Sequence, residues 1–247
     1  MGQAADARAL HWSSASLSHV GAVREVNEDA CLDLSAAGVW VVADGMGGYE
    51  DGAFASRLIV DSLAQVEPNV RLSGLVDDVE DRLCDVHSRL TERAAGSDRS
   101  AVVGSTVAAL LVAGRYAVCL WVGDSRVYRL RDNRLEQLTQ DHSHVEELIE
   151  QGRLTRAEAE HHPDANVITR AVGAGEALYL DARLDKVLHT DRYLICSDGL
   201  YREVGEPEIA RMMATADCRR VCHSLVDLAL ERGAHDNVTV VSIAMED

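Results

Sequence analysis

The sequence predicts an α+β fold in which antiparallel sheets pack together and helices lie outside. Three observations carry this expectation. Short runs rich in Val, Ile, Leu or aromatic residues are numerous along the chain, as strands require. Several of them are apolar at every position rather than at alternate ones, which suits sheets covered on one side and packed on the other. Helical periodicity is grouped into two stretches instead of alternating with the strands one for one, and grouped helices argue for α+β.

The elements follow in order. SASLSHVG at 14–21 and VWVVADG at 39–45 are the first strand-like runs. Helical spacing covers Asp51 to Val66 and then Leu72 to Leu90, where Leu72, Leu75, Val76, Val79, Leu83, Val86 and Leu90 form one apolar stripe, the pattern of a long amphipathic helix. STVAALLVAG at 105–114, YAVCLWVG at 116–123 and RVYRL at 126–130 return to strand character. From Asp141 to Asn166 the chain turns polar, and short helical pieces in an exposed, mobile insertion fit that stretch. YLICSDG at 193–199 is a strand. A helical region from Glu206 to Arg232 breaks near Thr215 to Asp217, and NVTVVSIA at 237–244 closes the pattern.

Bulk properties bound the function. The chain has 247 residues, enough for a sizeable core, with three scattered prolines and no linker or repeat, so one domain over 1–247 is expected. A net charge of -17 makes nucleic acid and anionic membrane surfaces poor partners. The six cysteines form no CxxC pair, and several sit in apolar runs. They read as small hydrophobes in a reducing compartment. The first twelve residues lack an apolar signal core, and Asp6 breaks a myristoylation pattern. VAALLVAG, the longest apolar stretch, is too short to span a bilayer. A cytoplasmic protein is expected.

The chemistry is signalled by where the aspartates fall. Asp44 and Asp198 end apolar runs and precede glycine, Asp124 ends LWVGD, and Asp236 stands just before a strand. Upstream, REVNED holds Arg24, Glu28 and Asp29. Asp-Gly is a common turn pair, so any one of these could serve only its own loop. Four at strand ends point instead to one mouth of a sheet core. Carboxylates crowded there repel one another unless a cation neutralises them. An all-oxygen set with no His or Cys favours magnesium or manganese over zinc.

Eight pieces carry a family resemblance: VGAVREVNEDA at 20–30, VVADGMGG at 41–48, GSTVAALLV at 104–112, WVGDSRVYRL at 121–130, LTQDHS at 138–143, ITRAVG at 168–173, LICSDGL at 194–200 and HDNVTVV at 235–241. In order and spacing they resemble the metal-dependent protein serine/threonine phosphatases of type 2C, in their compact bacterial form. The resemblance implies two antiparallel β-sheets packed as a sandwich with helices on both outer faces, and a flap near the active site at about 143–167. It implies that Asp44 bridges two divalent ions (Mn2+ or Mg2+), with Glu28 and the Gly45 carbonyl serving one and Asp198 and Asp236 the other. A third, looser ion falls to Asp124 with help from Asp198. Arg24 matches the phosphate-binding arginine, whose fork can hold two phosphoryl oxygens.

One departure concerns the proton donor. Some members carry a histidine after the first Asp-Gly, and this chain has Met46. A metal-bound water and His142 are the open candidates, His142 reading more readily as structural. The implied reaction is direct hydrolysis of phosphoserine and phosphothreonine by a metal-bridged water, with Arg24 orienting the phosphate. No cysteine opens a Cys-x5-Arg loop, and Ser13 to Ser18 form no nucleophile elbow. Expected partners are phosphorylated proteins, a cognate Ser/Thr kinase and its substrates among them, met by a monomer. Two other readings stay open: a pseudophosphatase that binds phosphoproteins, which the intact acidic set opposes, and a phosphohydrolase for small metabolites, which the same metal chemistry permits.

Overall fold

Alternate residues of the central strands face different neighbours, and this explains why those strands are apolar throughout. The computed structural model describes residues 10–96, 102–159 and 162–246. The first residues, on which the targeting expectation rests, lie outside that range. One sheet has the order β1-β11-β10-β7-β8, built from His11–His19, Val238–Glu246, Arg192–Cys196, Arg126–Arg131 and Arg134–Gln137. The other has the order β2-β3-β5-β6-β9, from Asp29–Leu34, Val39–Met46, Val107–Ala113, Tyr116–Val122 and Asp181–Lys186, with the short β4 (Gly104–Ser105) paired to the end of β3. Every pairing is antiparallel.

In β3, Trp40 and Val42 point between the sheets, where they meet Val127, Tyr193, Ile195, Val241 and Ile243. Val39, Val41 and Ala43, one residue out of phase, face α1 (Tyr49–Leu63) and α2 (Leu72–Ala95). This is the two-residue period of a strand. The other sheet repeats the arrangement: Tyr128, Leu194, Cys196, Val238 and Val240 pack outward on α6 (Glu206–Thr215) and α7 (Cys218–Glu231). The result is a four-layer sandwich, helices outside and two sheets within, as the sequence predicts.

Details differ from the sequence expectation for physical reasons. The run at 105–114 divides into β4 and β5 at Thr106, whose N–H donates to the Asp44 carbonyl at 2.8 Å. The last helical region breaks where expected, because Asp217 caps α7 by accepting from the Arg220 N–H at 3.0 Å. Strands β2, β8 and β9 have no clear apolar signature: in DARLDK the charged Asp181, Arg183 and Asp185 take the half-buried positions, and Ala182 and Leu184 face outward. The polar stretch forms α3 (His144–Glu150) and α4 (Arg156–Ala159). Its base is pinned by His144 N–H to the Val167 carbonyl and Thr169 N–H to the His142 carbonyl, both 2.8 Å. A short helix, α5 (Asp198–Tyr201), follows β10 directly.

Among the described residues the cysteines are unbridged. Cys119, Cys196 and Cys222 are buried, and burial pushes their thiols up to about 12. Cys84 departs from the expectation of burial and stands exposed on the outer side of α2. No described helix is long and apolar enough to cross a membrane.

Leu83 lies fully buried on the α2 stripe against the sheet. Leu83→Ala is expected to lower unfolding free energy by about 2–5 kcal/mol through lost burial and a cavity, read from the urea midpoint at unchanged slope.

Candidate active site

The acidic rim is assembled from strand ends that belong to both sheets. Asp44 sits near the end of β3, opposite Asp29 across the β2–β3 pairing. Asp124 is in the turn between β6 and β7, Asp198 opens α5 at the end of β10, and Asp236 immediately precedes the segment leading into β11. The sandwich brings these four ends to one place, and their charges act on one another. Burial pushes the Asp44 carboxyl well above its ordinary range, and Asp29, Asp198, Asp124 and Asp236 push it further. Burial raises Asp124 to about 7, with Asp198 adding to it. Asp198 is raised by burial against the opposing pull of Arg202, and Glu28 is raised by burial.

The loop carrying Arg24 and Glu28 has no regular structure of its own, and it is stitched to the chain's far end. Asn237 accepts the Glu28 N–H at 2.8 Å and donates to the carbonyls of Val20 at 2.9 Å and Val26 at 3.0 Å. Ala22 N–H donates to the Ala234 carbonyl at 2.9 Å. Gly21, at φ +83°, runs so close to this strand that a side chain would meet the Asp236 carbonyl oxygen. Arg24 then donates to Asp236 Oδ2 at 2.8 Å while its side chain stays half-exposed.

Glu28 depends on two glycines. Gly45 N–H donates to the Glu28 carbonyl at 3.1 Å. A Cβ on Gly45 would collide with the Gly52 backbone, and one on Gly52 with Glu28 Oε1. Close approach of β3, α1 and the loop is therefore open only to glycine here. All seven residues singled out in the sequence (Arg24, Glu28, Asp44, Gly45, Asp124, Asp198 and Asp236) come to this rim.

Several contributors were not singled out. Asp29 is buried, accepts the Ser197 hydroxyl at 2.7 Å and is raised to about 7 by burial. Tyr201 donates its hydroxyl to the Asp124 carbonyl at 3.1 Å, and the Arg126 guanidinium stacks 3.6 Å above its ring while pairing with Asp141 at 2.7 Å. Asp29 and Arg126 lay within motifs already quoted. Asn237 also lay within a quoted motif, whereas Gly52, Tyr201 and Arg202 had no local signal beyond neighbouring those motifs.

His142 has a definite structural task. Its Nδ1 accepts the Gly123 N–H at 3.1 Å, its Nε2 lies 3.3 Å from Asp181, and its ring stacks on Trp121. It splints the turn that carries Asp124, and burial lowers its pKa.

The donor set suits a hard divalent cation. Among the described residues, no three acidic, His or Cys side chains already converge as a closed metal cluster. Glu28 Oε1, Asp29 Oδ1 and Asp198 Oδ1 are nevertheless buried with no hydrogen-bond partner. Buried orphan carboxylate oxygens are costly, and oxygen-only donors with mutually raised carboxyls fit Mg2+ or Mn2+. A cavity of about 420 Å3 is lined in part by Val122, Thr169, Arg170 and Tyr179, and by none of the seven rim residues.

A four-layer sandwich with carboxylates from both sheets gathered at one rim defines the architecture of the type 2C phosphatases. The family's sequence profile, described as Protein phosphatase 2C, matches residues 17–229, and the chain belongs to that family. Among curated relatives, the serine/threonine protein phosphatase PstP of Mycobacterium tuberculosis is 34% identical over 90% of this chain. The match spans only 42% of that relative's length. The serine/threonine phosphatase stp of Listeria welshimeri is 30% identical, covering 90% of this chain and 92% of the relative. Among solved structures, PppA, described as a key regulatory component of T6SS in Pseudomonas aeruginosa, superposes with a TM-score of 0.89 at 44% identity, covering 95% of this chain and 98% of PppA. The PstP catalytic domain in complex with two manganese ions gives 0.85 at 33% identity, covering 96% of this chain and all of that one.

Asn237→Ala removes three hydrogen bonds to the loop and leaves the Glu28 N–H without its partner. Stability is expected to fall by about 1–3 kcal/mol, and amides at 20–28 should exchange faster with solvent in mass spectrometry.

Proposed function

We propose that the chain is a metal-dependent protein serine/threonine phosphatase whose catalytic domain covers 1–247. The observation that carries this reading is the joint presence, in a type 2C family member, of buried orphan carboxylate oxygens and an arginine poised at their edge. In this reading Asp44 would serve both of two ions. Glu28 and the Gly45 carbonyl would hold one ion, Asp198 and Asp236 the other, and Asp124 with Asp198 a weaker third. When bound, divalent ions lower the pKa of a coordinated water and neutralise charge on phosphoryl oxygens.

The chain's own groups supply the rest. Arg24 holds one N–H on Asp236, and its remaining donors can take a phosphoryl oxygen pair, fixing the phosphate for in-line attack. Met46 has no proton to give. His142 is committed to Gly123 and Asp181, so the reading assigns the leaving-group proton to solvent water. The reading takes direct hydrolysis by water, with no covalent phosphoenzyme.

Phosphoproteins are the proposed substrates, in opposition to a Ser/Thr kinase in the cytoplasm. Similarity to PppA at 44% identity over nearly the whole chain favours a phosphoprotein that controls a secretion system.

Purified protein should hydrolyse a phosphothreonine peptide with added Mn2+, and excess EDTA should abolish turnover. Asp44→Ala should lower kcat by at least about 100-fold. Metal-independent turnover, or turnover untouched by that substitution, would overturn the reading. Arg24→Ala should lower kcat/KM roughly 10- to 100-fold through loss of a charged hydrogen bond to phosphate, measured at saturating Mn2+ because the substitution also frees Asp236. Faster rates on nucleotides than on phosphopeptides would move the assignment to small metabolites.

A further inference from the structure

One guanidinium joins the acidic rim to the polar stretch at 143–167. Arg202 follows Asp198 by one helical turn, and its Nε lies 2.9 Å from Asp198 Oδ2. Its Nη2 is 3.9 Å from Asp124 Oδ2 and donates to the Ala165 carbonyl at 3.4 Å. Its Nη1 donates to Asn166 Oδ1. The same Asp124 Oδ2 also accepts the Tyr201 hydroxyl at 3.3 Å, which keeps that oxygen turned toward the arginine. Arg202 is also the group that most lowers the Asp198 carboxyl against its burial.

We propose that Arg202 is a positioning residue, an internal cation that anchors the 165–166 end of the polar stretch to the rim and competes with a third divalent ion for Asp124 and Asp198. The competition rests on the metal reading above, whereas the anchor rests on the hydrogen bonds alone. Both carboxylates face one charge, and they cannot pair fully with the guanidinium and an ion together. An ion entering there displaces Arg202 and frees its contacts to Ala165 and Asn166. By linkage, whatever holds the stretch against the rim weakens that ion's binding by the same factor. Arginine suits this task because its planar fork spans several acceptors in fixed directions, which a lysine ammonium cannot do.

The test compares wild type with Arg202→Ala, Arg202→Lys and Asn166→Ala in two measurements. Hydrogen exchange is followed at residues 162–168 in EDTA, and Mn2+ binding is titrated by calorimetry. Arg202→Ala should speed exchange in that segment several-fold and tighten the weakest Mn2+ site by about tenfold, the scale of one partly screened charge. Asn166→Ala should speed exchange at 162–168 with a smaller effect on the weak site. Should Arg202→Ala fail to fold, Arg202→Lys carries both readouts in the same direction at lower amplitude. Unchanged exchange in the Arg202 variants overturns the anchor. An unchanged weak site in protein that still binds Mn2+ elsewhere overturns the competition. Wild type that binds no Mn2+ at all overturns the metal reading and the competition together, and the exchange result still decides the anchor by itself.

Discussion

Like charges gathered in a poorly solvated place must be compensated, and much of this molecule's construction serves that requirement. Asp44 feels four other carboxylates as well as its own burial. In a protein interior such neighbours strongly disfavour a second or third negative charge. The compensation visible within the chain comes from arginines: Arg24 on Asp236, Arg202 between Asp198 and Asp124, and Arg126 on Asp141 behind them. They do not reach every oxygen. Those left without a partner are on Glu28 and Asp198, two of the proposed ligands, and on Asp29, which faces Asp44 across the β2–β3 pairing.

The sandwich makes such crowding sustainable. Both sheets are covered on their outer faces by paired helices and share the core between them, so the strand ends are held by long-range packing. A carboxylate at the end of a rigid strand cannot relax far from its neighbours, whereas one on a free loop could. The exception tests the idea. Arg24 and Glu28 do lie on a loop, and that loop is tied down by Asn237 and by the close passage of Gly21 beneath Asp236. Rigid placement of ligands is what a metal site needs from its protein.

Around the rim, side chains that resemble catalytic groups turn out to be supports. His142 is the clearest case, since both of its ring nitrogens face partners that hold the turn before Asp124. Tyr201 and Arg126 form a second brace on the same aspartate. A mechanism built on the chain's own groups would therefore have Arg24 as its proposed phosphate-binding group and no side-chain acid, which is consistent with chemistry delegated to bound ions.

The sequence by itself determined the α+β class, the break between the last two helices and the strand-end aspartates, because each is written in neighbouring residues. An apolar run followed by Asp-Gly needs no partner to be read. Polar strands such as β9 and β8 were not legible, for their identity as strands comes from hydrogen bonding to β6 and β7 rather than from their own apolar content. Only the tertiary structure decided that Asn237 would carry the loop at Glu28, 209 positions earlier, that Gly52 would make room for the same carboxylate, and that Arg202 would face Asp124 and Asn166 at once. These are contacts between segments distant in the chain. The acids at Asp44, Asp124, Asp198 and Asp236 were visible as residues, but their mutual repulsion exists only once both sheets have brought them to one rim.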